Sequence, residues 1–249
     1  LTLYNFHLYT EANQYIFASI CAALVQPHRR KNFKELRLVN SCIQQVKQLQ
    51  FPLLKKELQF ESVQVSCIAK LVANGLERLD LVSCSYANDP MFCDKMFDTV
   101  DKKTCALKHL NFNKTLRHEN NLKIIAENKI IASKIESLSF SGCYGVAYAL
   151  VTYAHCFTSL KELDLEGGGL PAVSVLECKK IVEAVAETLQ VLDVSNNKMP
   201  HSTYFEELLQ CIAEKAKKLK VVNFANNRIG YSTLDKFLSS RKPQLKYYC

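Results

Sequence analysis

One short pattern returns along this chain: an apolar residue, two others, a leucine, one other residue, and a second apolar anchor. It stands at Phe33-Leu36-Leu38, Leu76-Leu79-Leu81, Leu107-Leu110-Phe112, Ile135-Leu138-Phe140, Leu160-Leu163-Leu165, Leu189-Leu192-Val194 and Leu219-Val222-Phe224, with valine in the leucine place of the last. Partial copies, Leu1-Leu3 and Leu245-Tyr248, bracket the set, and a weaker one at Leu58-Phe60 divides the one long interval. The final anchors Leu81, Phe112, Phe140, Leu165, Val194 and Phe224 follow one another at intervals of 25 to 31 residues.

Residues two apart point to one face of a strand, so Leu192 and Val194 face inward while Val191, Asp193 and Ser195 face out. Such short strands are not stable alone; stacking one per repeat shares a buried face between neighbours. Between the strands, helical spacing is expected over 121–132, 146–156, 177–187, 203–217 and 233–239. In the fourth, Phe205, Leu208, Leu209 and Ile212 recur at helical spacing, and Thr203 and Glu206 have the spacing of a capping box. Parallel strands need such long crossovers. A doubly wound sheet would alternate in the same way but would not repeat one anchor spacing so often. The pattern predicts a single α/β solenoid over 1–249, of about eight to ten repeats. Neither Leu1-Thr2-Leu3 nor Lys246 to Cys249 is a polar cap, so a longer natural protein is expected.

The segments LQVLDVSNNKM (189–199) and LKVVNFANNRI (219–229) resemble the LxxLxLxxNxL motif of leucine-rich-repeat proteins. The repeat lengths and helical returns resemble the ribonuclease-inhibitor-like class of that superfamily. The resemblance implies a horseshoe with strands on its concave face and helices on its convex face. It also implies a structural ladder of inward side chains hydrogen-bonded to neighbouring loop backbone. Asn197 and Asn227 take that place, Cys84, Cys143 and Thr115 take it in preceding units, and Ser41 and Gly168 depart from it. Relatives of this class are enzyme inhibitors, substrate-recognition subunits of ubiquitin ligases, actin-regulating caps and immune sensors. Irregular, cysteine-bearing repeats point among these to a ubiquitin-ligase adaptor.

Composition adds limits. Hydrophobic residues make up 48%, and 7 Gly and 6 Pro form no linker-like run, which favours one continuous unit. The 11 cysteines are odd in number and scattered through apolar stretches, as at Cys21, Cys67, Cys156, Cys178 and Cys211. They read as small buried hydrophobes in a reducing compartment, cytoplasmic or nuclear. No signal peptide is visible and no apolar run is long enough to cross a bilayer, so no membrane contact is expected.

No catalytic residue, metal site or cofactor is expected. There is no Cys-x-x-Cys or His-x-x-x-His pair, and adjacent His155 and Cys156 should diverge on a helix. Ser141 to Gly145 resembles a nucleophile turn, but the repeat register assigns Cys143 to the ladder. Gly167-Gly168-Gly169 lacks the Lys-Ser/Thr ending of a phosphate loop and reads as a tight bend. Asn113-Lys114-Thr115 matches a glycosylation acceptor, without meaning in a reducing compartment.

The register also orders the concave face. Its central column reads Arg37, Gln59, Asp80, Asn111, Ser139, Asp164, Asp193, Asn223, flanked by columns that hold His109, Glu162 and Glu166. Against a net charge of +8, the gathering of Glu162, Asp164, Glu166 and Asp193 suggests a strip for a basic segment of a protein partner. The expected partner-binding residues are Asp80, His109, Asn111, Glu162, Asp164, Glu166, Asp193 and Asn223. The alternative is a nucleic-acid-associated protein using the basic clusters His28 to Lys31 and Lys215 to Lys220. Lysines at a helix C-terminus also meet the helix dipole, a sufficient structural reason for the second cluster.

Overall fold

In a computed structural model, the chain is described over residues 1–4, 11–24, 33–39, 68–84, 92–97, 105–115, 119–198, 202–240 and 245–248. Nine strands among these residues form one parallel sheet in sequence order. They are β1 (Thr2–Tyr4), β2 (Glu35–Val39), β3 (Arg78–Val82), β4 (His109–Asn111), β5 (Ser137–Ser139), β6 (Glu162–Asp164), β7 (Val191–Asp193), β8 (Val221–Asn223) and β9 (Lys246–Tyr248). From β2 to β8 the pairs are in the register that the apolar anchors predict: Leu36, Leu79, Leu110, Leu138, Leu163, Leu192 and Val222 follow one another across the sheet, whereas β9 is one residue off the expected Leu245-Tyr248 copy, with Tyr247 rather than Tyr248 opposite Val222. All seven are buried. This is the leucine-rich-repeat fold.

One expectation fails here. Residues 58–60 lie outside the described residues, but β2 pairs directly with β3 over five residues. The sheet therefore has no strand between them, and Arg37 stands directly beside Asp80. A weak apolar match could not compete with the full Leu36-Leu38 and Leu79-Leu81 pairing.

The returns are α1 (Glu11–Leu24), α2 (Phe92–Phe97), α3 (Glu119–Glu127), α4 (Lys129–Ala132), α5 (Val146–Tyr153), α6 (Val175–Val185), α7 (Ser202–Lys215) and α8 (Tyr231–Ser239), with a further helical stretch over 68–73. The single helix expected over 121–132 is broken at Asn128, whose side chain accepts the Ile130 and Ile131 N–H groups and starts α4. The helix expected over 146–156 tightens into a 3₁₀ turn at Ala154–Cys156. The capping box forms on α6, between Ser174 and Glu177. Glu206 is engaged otherwise: it accepts from Thr233 Oγ1 at 2.8 Å, tying α7 to α8.

The core runs between sheet and helices. Phe112 stacks on Phe140 with centroids 6.2 Å apart, and Phe224 meets Phe205 and Phe237 edge-on. None of the eight described cysteines is in a disulfide, and all but Cys156 are buried. Cys156, expected in the core, ends the 3₁₀ turn partly exposed while still packed against the core, and its Sγ lies 3.6 Å from His155 Nε2. The two side chains therefore converge rather than diverge. No group of three metal-ligating side chains occurs among the described residues.

Candidate protein-binding face

The chain leaves each strand by the same bend, and that bend positions the site. The residue before each ladder position has a left-handed φ: Ser83 (52°), Lys114 (53°), Gly142 (67°), Gly167 (56°), Asn196 (58°) and Asn226 (59°). That conformation is disfavoured for most L-residues, so the bend is held by hydrogen bonds. Each ladder side chain donates to the carbonyl of the final anchor one repeat back. Cys84 Sγ reaches Leu38 O at 3.4 Å, Cys143 Sγ reaches Phe112 O at 3.0 Å, and Thr115 Oγ1 bonds Leu81 O. Asn197 Nδ2 reaches Leu165 O at 2.9 Å and Asn227 Nδ2 reaches Val194 O at 2.7 Å. Gly168 has no side chain with which to make the corresponding rung.

A second set of bonds sits on the outer face of the sheet. Asn111, Asp164, Asp193 and Asn223 each accept, through Oδ1, the N–H of the residue two positions on, at 2.9–3.1 Å. Ser139 makes no such bond; Asn113 Oδ1, one repeat back, accepts the Ser141 N–H at 2.7 Å and lies 2.6 Å from the Ser139 hydroxyl oxygen. The central column thus doubles as a row of strand terminators. The sequence carries this signal as Asn or Asp two residues before the acceptor turn, and pattern reading for charge alone passes over it.

The acidic residues come together as the register implies. Asp164 and Asp193 are paired on β6 and β7, Glu162 is exposed beside Val191, and Glu166 follows Asp164 at the bend. Ser139 Oγ donates to Asp164 at 2.5 Å, and Ser141 Oγ and Asn196 Nδ2 donate to Glu166 at 3.1 and 2.7 Å. Asn223 Nδ2 and Ser195 Oγ donate to Asp193, each at 2.7 Å. Burial pushes the Asp164 carboxyl above its ordinary range, against the hydrogen bonds from Ser139 and Glu166, and the charges of Asp193 and Glu166 push it further. None of the four carboxylates has an ion-pair partner among the described residues, whereas Glu77, Asp80 and Glu136 all do.

Asp80 does not belong to this strip. It is fully buried and paired with Arg37 at 2.6 Å and Arg78 at 3.1 Å. Two flanking guanidinium groups fold over it, which sequence spacing could not reveal because Arg37 is 43 positions away. His109 is half-buried beside Arg78, and its Nδ1 is buried with no hydrogen-bond partner. The basic cluster His28 to Lys31 and Ser41 lie outside the described residues.

No family model matches the sequence, and no curated protein matches it. Solved structures do. The leucine-rich repeat-containing protein LegL7 of Legionella pneumophila aligns with a TM-score of 0.55 at 16% identity, covering 94% of this chain and 68% of that one. Rad7 of yeast, solved in complex with Elc1, aligns with a TM-score of 0.43 at 12% identity, covering 94% and 64%. Toll of Drosophila, solved with Spatzle, aligns with a TM-score of 0.38 at 13% identity, covering 78% of this chain and 27% of that one. The alignment with LegL7 places the chain among proteins of leucine-rich-repeat fold. No helix among the described residues is long and apolar enough to cross a membrane.

Proposed function

We propose that the outer face of the sheet over β5 to β8 docks a basic segment of another protein, and that the chain works by binding rather than by catalysis. One observation carries the reading. Glu162, Asp164, Glu166 and Asp193 are gathered with no ion-pair partner among the described residues, in a protein of net charge +8. Neutral donors from Ser139, Ser141, Ser195, Asn196 and Asn223 hold three of them in place. Pre-oriented charge of one sign steers a complementary partner and fixes its register. Val191 and Val221 continue the row from Glu162 and supply apolar contact beside the charge. Asn111, Asn223 and His109 border the strip.

The test is a variant with Glu162→Gln, Asp164→Asn, Glu166→Gln and Asp193→Asn together. The amides keep the Oδ1 acceptors of the strand ends. Partners captured by the wild type should be lost by this variant. Hydrogen exchange on the complex should slow across 162–166 and 191–195. A captured partner retained by the folded variant, with protection elsewhere, would move the interface off this face. Substrate recognition for a ubiquitin ligase is the narrower form of this reading, supported by the irregular cysteine-bearing repeats. Co-purification of ligase subunits with the same partner tests it.

A further inference from the structure

The rim of the sheet that precedes the strands carries its own ladder. Lys34, Glu77, Lys108, Glu136, Lys161, Gln190 and Lys220 follow one another from repeat to repeat, each backbone N–H bonded to the carbonyl of the one before. Through the first five positions the charges alternate and pair. Lys34 meets Glu77 at 2.6 Å, and Glu136 takes Lys161 at 2.6 Å and Lys108 at 3.6 Å. Then the alternation stops. Gln190 stands where a third carboxylate would fall, and Lys220 is left to donate to its amide oxygen at 2.8 Å.

Beyond that break, Lys215 ends α7, Lys217 and Lys218 stand in the turn that follows, and Lys246 on β9 bonds the Lys220 carbonyl through its N–H. All five lysines are exposed, and none is in an ion pair among the described residues. Glu214, beside Lys215 in sequence, pairs with none of them and accepts instead from Gln210 Nε2 at 2.8 Å. The helix dipole accounts for Lys215 and for Lys217, whose Nζ caps Ala213 O at 3.1 Å. It does not account for Lys218, Lys220 or Lys246. Tyr248, two residues beyond Lys246 on the same outer face, is 58% exposed.

We propose that this corner, Lys215, Lys217, Lys218, Lys220 and Lys246 with Tyr248, binds single-stranded nucleic acid. The lysines meet successive phosphates, and the phenol ring offers a surface on which a base stacks. Unpaired cations beside an exposed aromatic are the two elements of sequence-tolerant single-strand binding. Tyr248 stands beside Asn223, so the corner adjoins the acidic strip, and the lysine variants and the carboxylate variant test the two assignments separately.

The probe is a short fluorescent thymidine oligonucleotide, titrated with the full chain. Affinity should fall roughly 50-fold between about 50 and 200 mM salt if about four phosphates are neutralised. Replacing Lys218, Lys220 and Lys246 by Gln should flatten the salt slope by about 0.7 for each lysine removed. Tyr248→Ala should weaken the oligonucleotide roughly tenfold while leaving binding of poly-glutamate unchanged. The quadruple carboxylate variant should bind the oligonucleotide at least as well as the wild type. No binding at low salt, or an unchanged slope in the folded lysine variant, overturns the proposal. So does lysine-dependent binding of anionic vesicles or poly-glutamate without binding of the oligonucleotide.

Discussion

Asn227 reaches across one repeat to hold Asn197. Its Oδ1 accepts the Asn197 N–H at 3.0 Å while its Nδ2 donates to Val194 O at 2.7 Å. Asn197 does the same one repeat back, accepting from Leu170 N and donating to Leu165 O. One side chain thus satisfies a donor and an acceptor that burial has cut off from water. Asn197→Ala and Asn227→Ala should each cost about 1–3 kcal/mol, because each strands buried backbone groups. Cys143→Ala should cost less, since a thiol is a weak hydrogen-bonding group. Chemical denaturation of the three variants checks the order; equal midpoints for wild type and the Asn variants would contradict it.

Gly168 is the missing rung. Gly167 and Gly169 on either side have left-handed φ, and a Cβ at Gly168 would approach Leu165 O at 3.1 Å. Gly168→Ala therefore brings crowding with no new bond. Gly168→Asn brings the same crowding together with a donor for Phe140 O. The Asn variant should be the more stable of the two by about 1 kcal/mol, measured by thermal unfolding. An Ala variant as stable as the Asn variant would show that the glycine bend cannot take up the ladder geometry.

Asp80 is held by Arg37 and Arg78, whose side chains are 42% and 36% exposed. Removing the carboxylate frees two cations that solvent can partly reach. Asp80→Ala should cost about 2 kcal/mol, less than a fully buried pair would. Partner binding through β6 and β7 should be untouched. A loss of binding without loss of stability would return Asp80 to the docking surface.

The Asp164 carboxyl is raised by burial, so its protonated form is favoured in the fold relative to the unfolded chain. Its ionised form costs stability above the folded value, and that cost disappears as pH falls below the unfolded value. Glu136 has the opposite sign: its hydrogen bond with Lys161 holds it low, and its contribution is lost as pH falls through its folded value. Asp164→Asn should therefore be at least as stable as wild type at neutral pH, with the difference shrinking on acidification. A thermal-unfolding series across the carboxylate range tests this, and a difference that grows on acidification would reverse the assigned sign.

The fold was legible because it rests on local periodicity. Anchors such as Leu163-Leu165 and Leu192-Val194 face one way whatever surrounds them, and repetition then sets the register of the sheet. The gathering of Glu162, Asp164, Glu166 and Asp193 followed from the same register. Whether each outward residue meets solvent was not legible, because that depends on side chains brought in from other repeats. Asp80 and Asp164 occupy the same column, yet two arginines cover the first while a serine and a backbone N–H hold the second. Lys220 likewise meets an amide rather than a carboxylate because Gln190, thirty residues away, stands where the rim ladder would place a glutamate. Periodicity is a property of neighbouring residues along the chain; neutralisation is a property of neighbours in space, and only the tertiary structure decides it.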